Sequence, residues 1–208
     1  MGRNGKDTLI GTRGDDVIAG GMGDDRMEGG AGRDMVSFFD AEAGVVVDLK
    51  VAGVQGTCGA GHDQLRSFED LEGSAHDDLL LGDKKPNYIQ GGAGNDRIVG
   101  GVNGGDTLVG GDGDDGFIIS SLSDSPVDNP DLIRQFNHEL IDLRQIDANK
   151  LLAGNQAFDF VGGLGFSGHD AGQLQYVGGV LSGDVDGDGH ADFAIIANGG
   201  VGIADLLL

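Results

Sequence analysis

The chain has 208 residues, of which 42 are glycine and only 3 proline, a balance that excludes both collagen and a proline-rich linker. Its 13 basic residues stand against 35 acidic ones, a net charge of −22, so no basic patch exists for phosphates, and neither nucleic acid nor an anionic membrane is expected as a partner. A single cysteine, Cys58, closes no intramolecular disulfide, and no apolar run reaches the length of a membrane span, so stable membrane insertion is not expected.

The N-terminal MGRNGKDTLIG lacks an apolar core segment and does not read as a Sec signal peptide. From Gly2 onward, four nine-residue units follow without a break: GRNGKDTLI, GTRGDDVIA, GGMGDDRME and GGAGRDMVS. Their fourth places hold Gly5, Gly14, Gly23 and Gly32, and their sixth places Asp7, Asp16, Asp25 and Asp34. The eighth places hold Leu9, Ile18, Met27 and Val36. Low hydrophobicity with high net charge can mean disorder, but disorder needs no period.

Six residues of Gly, Asp and small polar types make a turn whose φ values glycine tolerates cheaply. The remaining three make a very short strand whose middle residue points inward. Two units then complete one coil, and residues 18 apart lie one strand spacing from each other, roughly 4.8 Å. Carboxylates stacked at that distance repel unless a cation sits between them. Calcium accepts carboxylates and backbone carbonyls in flexible six- to eightfold coordination, whereas magnesium demands a tight octahedron. Zinc would want His or Cys, which the turns lack. The second aspartates of the Asp-Asp pairs, Asp15, Asp24 and Asp114 at place five, read as solvated surface charge, with a ligand role as the alternative.

Residues of about 38–72 break the clock. Within them VVVDLKV reads as a strand, and GAGHDQL (59–65) is a degenerate unit with Asp63 at its sixth place. His62 and His76 read as surface histidines rather than ligands. A second array, 73–118, runs GSAHDDLLL, GDKKPNYIQ, GGAGNDRIV, one extra Gly100, GVNGGDTLV and GGDGDDGFI. Its sixth places are Asp78, Asn87, Asp96, Asp106 and Asp115, and Gly94 and Gly113 hold the fourth place of two of its units. Asn87 substitutes an amide for a charge and Lys84-Lys85-Pro86 replaces turn glycines, so that half-site is expected to bind an ion weakly or not at all.

Beyond Ile118 the period stops. DLIRQF, ELIDL, FDFVG, GQLQYV and ADFAIIA are short apolar-alternating runs, expected as antiparallel strands. RQIDANKLLAG is expected to hold a short helix ended by Gly154. Such a segment would cap the open end of the solenoid. The expectation is an all-β chain in two parts: 1–117, a parallel β-roll, and 118–208, an antiparallel cap.

GGMGDDRME, GGAGRDMVS and GGAGNDRIV resemble the GGxGxDxUx nonapeptide of the RTX (repeats-in-toxin) proteins, a calcium-binding β-helix repeat. The resemblance implies a parallel β-roll with several calcium ions between successive coils. It pairs Asp7 with Asp25, Asp16 with Asp34, Asp78 with Asp96, Asn87 with Asp106, and Asp96 with Asp115. The segment between the arrays is similar to the linker joining two repeat blocks in such proteins and implies an excursion from one continuous roll. SSLSDSP, DLIRQF, ELIDLRQIDAN and GDVDGDGHADF resemble the serralysin-type C-terminal domain of secreted bacterial metalloproteases. Within that part, Asp184, Asp186, Asp188 and Asp192 have the alternation of an EF-hand-like loop, but Ile195 stands where its final Glu would be. A calcium site and a solvated surface turn both remain open there. The ending GIADLLL resembles an uncleaved type I secretion signal, which implies a secreted, extracellular protein and the type I secretion machinery as partner; a buried last strand fits the same residues.

No catalytic residue is expected. HELID (138–142) is the nearest approach to the HExxH zinc motif and lacks its second histidine, and no G-x-S-x-G elbow occurs. The expected function is a calcium-binding, calcium-induced folding and secretion module, alone or fused to a secreted enzyme domain. The alternatives are a carbohydrate-contacting module like those of mannuronan C5-epimerases, disfavoured by the acidic surface, or the C-terminal fragment of a secreted zinc metalloprotease.

Overall fold

The computed structural model describes residues 1–137 and 139–208. Each early unit yields one short strand: Thr8–Ile10 (β1), Val17–Ile18 (β2), Arg26–Glu28 (β3) and Met35–Ser37 (β4). The strands pair in parallel with their second neighbours, Leu9 on Met27 and Ile18 on Val36. The 18-residue coil of the sequence is therefore the coil of the fold. Eighth-place side chains face inward, since alternate residues of a strand point to opposite sides.

The segment between the arrays forms Val46–Asp48 (β5), Val54–Gly56 (β6), His62–Arg66 (β7) and Asp70–Glu72 (β8). It leaves the roll and re-enters it, because β7 adds to β3 and β8 adds to β4, both in parallel register. β6 folds back antiparallel on β7.

The second array gives Leu79–Leu81 (β9), Tyr88–Ala93 (β10), Arg97–Val99 (β11), Thr107–Asp112 (β12) and Gly116–Ile118 (β13). β5 pairs with β9, and β10 pairs with β8. The extra glycine lies inside a turn rather than between units: Asn103, Gly104 and Gly105 all take positive φ before Asp106.

Stacking does not stop at residue 118. Asp131–Arg134 (β14) and Leu140–Asp142 (β15) add in parallel on β12 and β13, placing Ile133 on Leu108 and Ile141 on Phe117. The antiparallel strands expected at DLIRQF and ELIDL are thus two further parallel rungs. The cap proper holds Asp159–Gly162 (β16), Gln173–Val177 (β17), Val180–Asp184 (β18) and Phe193–Ala197 (β19); β16, expected at FDFVG to be antiparallel, pairs in parallel with β17. β18 runs antiparallel to both of its neighbours, β17 and β19, and β19 docks parallel on β14. A 3-10 turn at Ile203–Asp205 leads into Leu206–Leu207 (β20), which docks on β15 and covers the other face.

The helix expected at 144–154 is a series of turns. Asp147 accepts the N–H groups of Asn149 and Gln156, and Asn149 accepts that of Leu151; such side-chain bonds to the local backbone compete with a helix. The result is all-β, with sheets of 4, 10 and 6 strands. Met27, Val36, Leu71, Leu80, Ile89, Ile98, Leu108, Phe117, Ile133 and Ile141 form a fully buried file between the faces. At about 1.5–3 kcal/mol for each such side chain, one per nine-residue unit is a thin core. Among the described residues, no helix is long and apolar enough to cross a membrane.

Candidate metal centre

Three ladders of acidic side chains run along the roll. In the first, the Asp7 N–H donates to Asp25 Oδ1 and the Asp25 N–H to Asp63 Oδ1, both at 2.8 Å. In the second, the Asp16 N–H donates to Asp34 Oδ1 (2.9 Å) and the Asp34 N–H to Glu69 Oε2 (3.1 Å). Further along it the Asn87 N–H donates to Asp106 Oδ1 (2.8 Å) and the Asp106 N–H to Asp131 Oδ1 (2.9 Å). In the third, the Asp78 N–H donates to Asp96 Oδ1 (2.9 Å) and the Asp96 N–H to Asp115 Oδ1 (2.8 Å). Glu139 stands over Asp115, because the residues that follow them, Leu140 and Gly116, are partners.

In each of these bonds one oxygen of the accepting side chain clips a coil to its neighbour, and whether a side chain's oxygen also meets a donor within its own unit depends on the unit's second residue. Where that residue is not glycine its N–H takes the oxygen: Arg3 bonds Asp7, Thr12 bonds Asp16, Ser74 bonds Asp78 and Asp83 bonds Asn87, at 2.6–2.8 Å. Where the unit opens Gly-Gly, the second glycine takes positive φ, +126° at both Gly92 and Gly111. Its peptide group is then turned, and the inner oxygen has no donor. Among the described residues, the Oδ2 atoms of Asp25, Asp34, Asp96, Asp106 and Asp115 are buried without a hydrogen-bond partner, as are Asp131 Oδ2 and Glu139 Oε2.

A buried carboxylate oxygen without a donor costs free energy that only a cation or a proton relieves. The titration behaviour carries the same strain. Asp96 is pushed up to about 7, first by burial and then by the charges of Asp78 and Asp115. Glu139 is pushed up to about 7 by burial and by Asp115. Burial raises Asp25, Asp63 and Asp115 as well, and it raises Asp106 and Asp131, with the neighbouring Asp106 charge adding to the rise at Asp131. The donor set is hard, anionic oxygen stacked at strand spacing, which suits calcium.

The turn glycines serve close approach. A Cβ on Gly23 would stand 2.3 Å from the Gly5 carbonyl oxygen, and one on Gly113 2.0 Å from that of Gly94. Gly23, Gly32, Gly94 and Gly113 have positive φ, whereas Gly14 lies in the exposed turn of the outer coil with open space around it. The fifth-place aspartates do more than meet solvent. Asp15 accepts the Arg33 N–H (2.8 Å) and Asp24 the His62 N–H (3.0 Å), forming an exposed ladder that runs opposite to the buried one.

In the cap, Asp184, Asp186 and Asp188 bring ligand oxygens within 4.8 Å of one another. Asp192 instead accepts the Val185 N–H. Asp184 is fully buried and accepts three loop N–H groups, from Asp186, Gly187 and Gly189.

Glu69, Asp131 and Glu139 were not among the residues expected from the period. Insertions separate Asp34 from Glu69, Asp106 from Asp131 and Asp115 from Glu139 by 35, 25 and 24 positions instead of 18. A signal did exist: each keeps the unit's acid-x-apolar triplet, as Glu69-Asp70-Leu71, Asp131-Leu132-Ile133 and Glu139-Leu140-Ile141. His138, part of the approach to a zinc motif, lies outside the described residues.

Residues 1–36 match the family model of the RTX calcium-binding nonapeptide repeat, in 4 copies. No curated protein matches the chain. Both the RTX repeats and the serralysin C-terminal domain are non-catalytic regions of the proteins that carry them. The model of the peptidase M10 serralysin C-terminal domain matches residues 86–207, more than half of the chain and all of its capped end, so the chain belongs to the serralysin C-terminal family and carries an RTX calcium-binding roll in front of its cap.

Proposed function

We propose that the chain is a calcium-driven folding and secretion module. The observation that carries the reading is the set of buried carboxylate oxygens without donors, confined within the repeats to the Gly-Gly units and continued at Asp131 and Glu139. Calcium ions bridge successive coils at Asp7/Asp25, Asp16/Asp34, Asp78/Asp96 and Asp96/Asp115, and Asp25/Asp63, Asp106/Asp131 and Asp115/Glu139 complete the ladders. Carbonyls of the Gly14, Gly23, Gly32, Gly94 and Gly113 turns supply further oxygens. The loop of Asp184, Asp186 and Asp188 is a separate, more exposed site whose shape Asp192 holds. The roll, which runs through 1–117 and is extended by the parallel rungs β14 and β15, and the rest of 118–208, which caps it, are the two functional parts.

In a calcium-poor cytosol the ladders repel and the thin core does not hold the coils, so the chain stays unfolded enough for type I export. Outside, each ion adds RT ln(1 + [Ca]/Kd) to the folded state, and stacked coils fold cooperatively. Both matched regions are typical of type I secreted bacterial proteins. The test is metal analysis of the intact chain after gel filtration in millimolar calcium. Several retained calcium ions per chain support the reading, and none retained overturns it.

A further inference from the structure

The second ladder is not uniform. Between β8 and β10 the group at the acid position is Asn87, whose Nδ2 donates to the Glu69 carbonyl oxygen at 2.7 Å. Lys85 stands at the fourth place of its unit, where Gly23, Gly32, Gly94 and Gly113 stand in theirs. Its Nζ reaches Glu69 Oε1 at 2.8 Å. Glu69 Oε2 accepts the Asp34 N–H, so both carboxylate oxygens of Glu69 are engaged. Beside it, Arg33 grips Asp70 with Nε and Nη2, at 2.9 and 2.7 Å, and Asp70 Oδ1 also accepts the Tyr88 N–H.

The neighbouring rungs differ from this one. On either side, Asp34 Oδ2 and Asp106 Oδ2 are buried without a donor, while no oxygen of Glu69, Asp70 or Asn87 is. Two protein cations, Arg33 and Lys85, meet two carboxylates, Asp70 and Glu69, so the side chains of this rung balance in charge. The rungs at Asp96/Asp115 and Asp106/Asp131 bring carboxylates together, with no cation bonded to them among the described residues. The rung also lies where the two arrays meet, since β4 closes the first, β10 belongs to the second and β8 pairs with both. Its core residues, Val36, Leu71 and Ile89, are fully buried.

We propose that the Lys85 ammonium and the Asn87 amide take the place of calcium at the β8–β10 rung, making it an ion-independent clamp that holds the two repeat blocks in register. This rests on the calcium reading of the other rungs. Calcium-driven folding then spreads from the clamp in both directions, toward β2 along one block and toward the cap along the other. Covalently linked units of a solenoid propagate order from whichever neighbour is already formed.

Hydrogen exchange of the whole chain in chelator, read segment by segment, tests the clamp. Amides of Asp70–Glu72 and Tyr88–Gln90 should exchange at least tenfold more slowly than those of Arg97–Val99 and Gly116–Ile118. Equally fast exchange everywhere overturns the clamp and leaves the calcium reading of the other rungs intact. Equally slow exchange everywhere overturns both. The variant Lys85→Gly/Asn87→Asp restores the fourth-place glycine and the sixth-place acid of the repeat at this rung. It should lose the selective protection in chelator and retain one more calcium ion per chain than the parent; an unchanged ion count overturns the substitution of ammonium and amide for the metal. The exchange pattern of the parent chain stands as a test even if that variant does not fold.

Discussion

Replacing Asp96 by Asn separates the two roles that its carboxylate plays. Oδ1 accepts the Asp78 N–H at 2.9 Å, and an amide oxygen can keep that bond. Oδ2 is buried without a donor, and it is this oxygen that the substitution turns into an uncharged NH2 group. Without calcium the change should stabilise the fold. The carboxyl is pushed from 3.8 to about 7, a displacement worth at most about 4 kcal/mol. The effective dielectric of a protein interior, well above that of a dry medium, reduces this to about 2 kcal/mol at pH 8. With calcium the sign reverses, because a charged ligand is lost from the sites on both sides of the residue. A tenfold weaker site costs about 1.4 kcal/mol when calcium is saturating. The assay is refolding driven by trimethylamine oxide, which strengthens burial of the chain, followed by far-UV circular dichroism. In chelator Asp96→Asn should need less osmolyte than the parent, and in millimolar calcium more. A variant that needs more osmolyte in both conditions would refute the idea that this oxygen waits for a cation.

Three further outcomes follow from the same geometry. Asp25→Ala should raise the calcium concentration at half-folding several-fold more than Asp24→Ala, because Asp25 is a buried rung and Asp24 belongs to the exposed ladder; equal shifts in a calcium titration would show the register to be wrong. The calcium-free roll should become more stable as pH falls from about 7 to about 4. Asp96 and Glu139 hold protons in the folded state up to about 7 but release them near 4 when unfolded, so the folded state binds more protons in that window and stability drops as pH rises through it. Osmolyte refolding in chelator at pH 5 and pH 8 checks this, and identical midpoints would contradict it. Deleting Asp205–Leu208 removes β20 from the edge of β15. The purified product should still bind calcium but stay inside cells carrying a type I exporter; export equal to that of the full chain would place the signal elsewhere.

The roll was legible because its period is local. A nine-residue clock specifies a turn, a strand and an inward side chain, and the pairs Asp7–Asp25, Asp16–Asp34, Asp78–Asp96 and Asp96–Asp115 follow by counting 18 or, across the inserted glycine, 19 residues. Pairs across insertions were not legible, since counting fails once the chain leaves the stack. Asp25 meets Asp63 after 38 residues. The strands at 131–134 and 140–142 were read as antiparallel because their spacing had lost the period, although the triplets Asp131-x-Ile133 and Glu139-x-Ile141 kept the repeat chemistry. The helix at 144–154 failed for a different reason: the Asp147 and Asn149 side chains satisfy the backbone locally and outcompete it. Which oxygens lack donors was also out of reach of counting. It depends on whether the second residue of a unit can take positive φ, a property that the Gly-Gly dipeptide encodes and that becomes interpretable only with the coils stacked.

The central claim is that these carboxylate ladders cannot close without calcium. Far-UV circular dichroism of the intact chain tests it most directly, recorded in chelator at pH 8 and again after adding millimolar calcium. The account predicts a mostly unordered spectrum that converts cooperatively to β structure as calcium is added. A β spectrum in chelator that calcium leaves unchanged would contradict it.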